Sequence, residues 1–141
     1  MMRVLKWVLL TAALLLAAGQ AANAQKLTAQ KLTKEFLASA IWEGRYNIEA
    51  RQSYTAPTTI TFKVSPSGKL SAVVESKFFR TLRKLPATGR ITEDGLLVLD
   101  FSTAAAQRIM RLKRDGDRLV GEASTLIRGF PGKGRASFKK R

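Results

Sequence analysis

Two side chains on which much protein chemistry depends are missing from this sequence. There is no cysteine, which excludes disulfides, thiolate nucleophiles and a lipid-anchored cysteine behind an export leader. There is no histidine, which removes the commonest general base, the usual proton shuttle and the commonest metal ligand together. Acids are also scarce, 10 against 25 lysines and arginines, so the formal charge of +15 repels itself and attracts anionic partners. Ser65 and Ser67 lie in no Gly-x-Ser-x-Gly context and have no histidine to activate them. Phosphate loop, dinucleotide fingerprint and metal-ligand spacing are all lacking. A pair such as Glu43 and Glu122 could in principle serve a hydrolase, but both carboxylates fall on expected outer faces among cations. The expectation is a protein that is not an enzyme and carries neither cofactor nor metal.

What is present begins with a leader. Arg3 and Lys6 precede an apolar run from Val8 to Ala18 broken only by Thr11, and Ala22-Asn23-Ala24 supplies a small-x-small cleavage pattern. That run is short for a bilayer span and a polar segment follows it, so residues 1–24 read as a cleaved export signal. The expected location is the periplasm or the cell exterior. Residues 25–141 suffice for one core, divided into an arm at 25–40 and a barrel at 41–141. Within the arm, Leu27, Leu32, Phe36, Leu37 and Ile41 approach helical spacing, and Thr33 is placed to cap a short helix from Lys34 to Ala40.

From Ile41 to Arg51 the period changes to two. Trp42, Gly44, Tyr46, Ile48 and Ala50 alternate with Glu43, Arg45, Asn47, Glu49 and Arg51, the signature of a half-buried strand. Similar alternation recurs downstream, and strands are expected near 41–51, 58–65, 69–77, 87–92, 96–103, 107–114, 117–127 and 133–140. Ser53 to Pro57, Ser65-Pro66-Ser67-Gly68, Glu93-Asp94-Gly95, Asp115-Gly116-Asp117 and Gly129-Phe130-Pro131-Gly132 are the expected turns. Lys77 to Thr88 fits helix or bent strand equally. Eight short strands in sequence order predict an all-β, antiparallel up-and-down meander closed into a barrel after a short N-terminal helix. The small inward residues Gly44, Ala50, Ala72, Gly121, Ala123 and Ala136 would relieve crowding or hollow out a cavity. An outer-membrane barrel needs an apolar outer face, which Glu43, Arg45, Glu49 and Arg51 deny.

Trp42 near the start of the first strand, followed by Gly44 and Tyr46, resembles the opening of calycin-type barrels, the lipocalin and avidin group. The lipocalin Gly-x-Trp opening stands here as Ala40-Ile41-Trp42, and the size is more similar to the avidin end of the group. The resemblance implies a ligand-binding barrel, with an interior around Trp42, Tyr46, Phe62 and Phe138 holding a small apolar ligand, or a barrel that docks an envelope partner. The alternative is a polyanion-binding module of the oligonucleotide-binding type, for lipopolysaccharide, anionic lipid or nucleic acid. Its candidate residues are the acid-free clusters Arg80, Arg83 and Lys84, and Arg128, Lys133, Arg135, Lys139, Lys140 and Arg141. Phe78, Phe79 and Phe130 are the aromatics that could be exposed beside them.

Overall fold

The computed structural model describes residues 31–78 and 80–141. The expected leader and the start of the arm lie outside the described residues, as does Phe79. A single helix, α1 (Lys34–Ala38), precedes eight strands: β1 (Ile41–Ile48), β2 (Tyr54–Val64), β3 (Leu70–Phe78), β4 (Thr81–Ile91), β5 (Leu97–Asp100), β6 (Ala106–Asp115), β7 (Arg118–Ile127) and β8 (Phe130–Lys140). Each strand pairs antiparallel with the next, and β8 closes on β1, for example through Gly44 opposite Phe138. This order is the expected meander and not a five-stranded Greek key, so the oligonucleotide-binding-fold alternative does not hold.

The helix starts where expected, with the Thr33 hydroxyl accepting the Phe36 N–H at 3.1 Å. It stops two residues early, at Ala38, and the Ser39 hydroxyl donates to the Phe36 carbonyl at 2.7 Å. Five boundaries in the sheet also differ from expectation. β1 ends at Ile48, since Glu49 retains only an isolated bridge to Lys133. β2 begins at Tyr54, because Thr55 and Pro57 pair with Asn47 and Arg45 instead of turning. Lys77 to Thr88 is resolved in favour of strand: β4 runs unbroken through Pro86, which faces Val73. β5 ends at Asp100 and not at 103, where Thr103 retains only an isolated bridge to Ala106. β8 begins at Phe130, because Arg128 (φ +52°) and Gly129 (φ +81°) make the whole turn. A two-residue loop with both φ positive matches the right-handed twist of the flanking strands, so Phe130 and Pro131 are free to pair.

The inward phase is as read from the alternation. Trp42, Tyr46, Ile48, Ile60, Leu99, Leu119 and Phe138 are buried in one continuous core. Two of the small inward residues answer the crowding question directly. A Cβ on Gly44 would run into the Ser137 carbonyl, and one on Gly121 into the Arg111 carbonyl. These glycines let neighbouring backbones approach where the sheet bends to close.

The two ends of the barrel differ. At the end where β1 begins, α1 packs over the opening, with Leu37 fully buried and the Trp42 indole N–H donating to the Leu37 carbonyl at 2.9 Å. The Phe36 ring stacks obliquely on Trp42 at 5.2 Å, and Lys34 donates to the Gly68 carbonyl of the β2–β3 turn. The connections β1–β2, β3–β4, β5–β6 and β7–β8 all fall at the opposite end, which carries no helix among the described residues.

Candidate functional site

The interior changes character toward that open end. Below it the core is Trp42, Phe62, Leu97, Leu112, Leu119 and Phe138. Near that end small and polar buried positions join Ile48, Tyr46 and Phe101: Ala56, Thr58, Ser76, Ala106, Arg108, Ala123 and Thr125. Strand alternation aims each of them inward, since Ala106, Arg108, Met110 and Leu112 are successive inward residues of β6. Thr58 has one hydroxyl proton and donates it to the Ala56 carbonyl at 2.9 Å, so the Ser76 hydroxyl is the donor in the 2.9 Å contact between them.

Four aromatic rings cluster here. Tyr46 meets Tyr54, Phe78 and Phe101 edge-on at 6.3, 6.2 and 6.0 Å, and Tyr54 meets Phe78 at 5.8 Å. Such T-shaped contacts add to the burial term by aiming ring edges at ring faces. Arg108 enters this cage at 7% exposure, with its guanidinium 5.4 Å from the Phe78 ring centre. The β5–β6 connection holds its backbone: Phe101 N–H donates to the Arg108 carbonyl at 3.0 Å, and Arg108 N–H to the Ser102 hydroxyl at 3.0 Å. Its side chain has less support. One terminal nitrogen donates to the Thr103 hydroxyl at a long 3.5 Å, and Nε is buried without a partner. Among the described residues no carboxylate lies within ion-pair distance of it, and none is buried.

The Tyr46 hydroxyl also makes no hydrogen bond of good geometry, although the Ser76 hydroxyl is near enough to pull on its proton. Burial, then the neighbouring Tyr54, pushes its phenol well above the ordinary 10.0, outweighing Ser76 and Arg108, which pull the other way. Burial likewise raises Tyr54 against the pull of Arg108. Both groups hold their protons more tightly folded than unfolded. Stability is therefore fully present below the unfolded tyrosine pKa of about 10 and falls as pH rises above it. Tyr46→Phe should flatten that alkaline loss, which unfolding monitored at 295 nm between pH 9 and 12 will register.

Only Tyr46 of the four residues first expected to line a cavity belongs to this cluster. Trp42, Phe62 and Phe138 fill the helix-closed half. The expected anion-binding residues are not brought together either, because β4 and β8 lie on opposite sides of the barrel. Those of β8 mostly stand opposite acids: Lys133 pairs with Glu49 through the backbone, Arg135 is opposite Glu122 and Lys139 opposite Glu43, while Arg141, just past β8, approaches Glu43 at 3.8 Å. Lys140 lies over the Phe36 and Trp42 rings at 4.5 and 5.9 Å. Lys84 faces Glu75. Arg80, Arg83 and Arg128 stand at the open rim instead. Arg108 was missed, along with Tyr54, Phe78, Phe101, Ser76 and Thr58. One signal was available, since Arg108 is in phase with Ala106, Met110 and Leu112.

The barrel is calycin-like in architecture. An S-type phycobiliprotein lyase from Guillardia theta superposes with a TM-score of 0.58 at 10% identity, over 81% of this chain and 96% of that one. An odorant-binding protein superposes with a TM-score of 0.52 at 10% identity, over 79% of this chain and 75% of that one. No protein-family model matches the sequence, and no curated protein matches it. The likeness is one of fold.

Proposed function

We propose that this is an exported binding protein, not an enzyme, whose open end takes a small amphipathic ligand bearing one acidic group. The observation that carries the reading is Arg108, a guanidinium buried among aromatic rings with no carboxylate among the described residues to balance it. An ion held away from water costs several kcal/mol unless it is paired and hydrogen-bonded. A carboxylate, sulfonate or phosphate entering the mouth supplies both, and a guanidinium offers a two-pronged fit to such a group. The ligand's apolar part then lies against Tyr46, Tyr54, Phe78 and Phe101. It is small, because Trp42, Phe62 and Phe138 already fill the far half of the interior.

The calycin fold supports this reading by analogy, one neighbour being by name an odorant-binding protein. The leader pattern before residue 25 supports export. Native mass spectrometry of the protein purified from its own source should show one retained adduct of acidic character that is released on unfolding. A bare protein that also fails to bind any member of a panel of amphipathic acids contradicts the proposal.

A further inference from the structure

The end opposite the helix carries more than the aromatic cluster. Among the described residues the most exposed large apolar side chains are Leu82, Phe130 and Leu126, at 63%, 49% and 43%, followed by Val64 and Ile41 at 41% and 40% at the helix-closed end. Leu82 lies two residues past the β3–β4 connection, and Leu126 and Phe130 flank the β7–β8 turn, so these three belong to hairpin tips at the open end. Cations are interleaved with them: Arg51 in the β1–β2 connection, Arg80 and Arg83 beside Leu82, and Arg128 between Leu126 and Phe130. All four are exposed. Arg83 keeps the inward phase of Leu85 and Ala87 yet is exposed, because β4 there runs beyond the core. Acids are fewer at the open end, Glu49 and Asp100, than in the turns of the helix-closed end, which set Glu93, Asp94, Asp115 and Asp117 beside Lys63, Lys69, Arg114 and Arg118.

We propose that the open rim is a docking surface for a lipid bilayer carrying anionic headgroups, met mouth-first. Apolar tips that reach the acyl boundary, set among cations that meet the headgroups, are what interfacial binding requires. A nucleic acid gains nothing from leucines, and it needs open ring faces on which to stack bases. The exposed aromatic described here, Phe130, already has the Arg51 guanidinium 5.1 Å from its ring centre. The proposal does not depend on the ligand reading, but the two are compatible, since a barrel lying mouth-down receives an amphipathic acid directly from the membrane.

The test is sedimentation with phosphatidylcholine vesicles, with and without phosphatidylglycerol, over a salt series. Binding should require phosphatidylglycerol and weaken as salt rises. At about one kcal/mol for each basic residue near such a surface, the triple variant Arg80→Gln, Arg83→Gln, Arg128→Gln should lose roughly a hundredfold in affinity. Lys63→Gln with Lys69→Gln, at the other end, should lose little. Insertion is read separately with tryptophan reporters: Leu82→Trp should be quenched by brominated acyl chains and Ser67→Trp should not. Thermal unfolding of each variant shows that loss of binding is not loss of fold. Equal losses from both sets of charges overturn the proposal. So does binding to single-stranded DNA with the Leu82→Trp reporter unquenched by vesicles. Failure on vesicles with an acidic ligand still retained sinks this proposal alone.

Discussion

Trp42→Ala is expected to lower the unfolding free energy by about 3–5 kcal/mol, the usual cost of truncating a buried large aromatic. The figure is a large share of the 5–15 kcal/mol of a typical domain. Trp42 has no exposed surface, and it joins β1, β2 and the helix that closes the barrel. Its loss leaves a cavity, removes the indole donor from the Leu37 carbonyl, and takes away the ring on which Phe36 rests. The helix should therefore loosen with the core. Trp42→Phe separates the two contributions, because it keeps most of the apolar volume and loses the hydrogen bond, worth about 1 kcal/mol. Urea unfolding measures both variants. A loss below 1 kcal/mol for the alanine variant contradicts the placement of Trp42 in the core.

Arg108→Met should move stability and binding in opposite directions. Methionine keeps an unbranched side chain among the rings while removing the charge. Even a buried ion pair can often be replaced by apolar residues of similar volume at no cost or with a gain of about 1–4 kcal/mol, and Arg108 has no ion-pair partner among the described residues to leave behind, so the empty variant should be at least as stable as the parent. An acidic ligand should bind it more weakly by about 2–5 kcal/mol, the range for removing one partner of a buried charge pair. A purely structural arginine predicts the reverse on the first count: the variant unfolds more easily and ligand affinity follows stability. Denaturant midpoints and titration calorimetry on the same preparations distinguish the two patterns.

Much of this architecture was legible in the residues. Period-two alternation depends only on which face is wet, so β1, β3 and β7 could be read from it, and with them Trp42, Tyr46, Val74 and Leu119 as inward residues. The Thr33 cap was legible for a similar reason, as it is a local hydrogen bond. Boundaries were misread where local turn chemistry competes with a partner strand. Ser53 to Pro57 and Phe130-Pro131 look like turns in isolation, and the ladders to β1 and β7 pull them into strands. β4 was ambiguous because Leu82 to Leu85 interrupts alternation, its residues standing at the rim where neither face is buried.

The site was harder to see. Arg108 sits in a run of basic residues, and average exposure assigns all of them to solvent. Its β6 phase marks it as inward, but the cost of burying a charge argues against that until the aromatic cage is visible. Charge runs were equally misleading in the other direction. Lys133, Arg135 and Lys139 have no acids nearby in sequence, and the closure of β8 onto β1 and β7 places Glu49, Glu122 and Glu43 opposite them. Contacts between strands far apart in the chain decide both matters.

The central claim is that Arg108 is a receptor for an acidic group in the mouth of the barrel. Its most direct test is titration calorimetry of a medium-chain fatty acid against the methyl ester of the same acid, on the parent protein and on Arg108→Met. The parent should bind the acid saturably and the ester at least thirtyfold more weakly (the 2 kcal/mol lower bound above), and the variant should not distinguish acid from ester. Equal binding of acid and ester by the parent, or an undiminished preference for the acid in Arg108→Met, contradicts the claim.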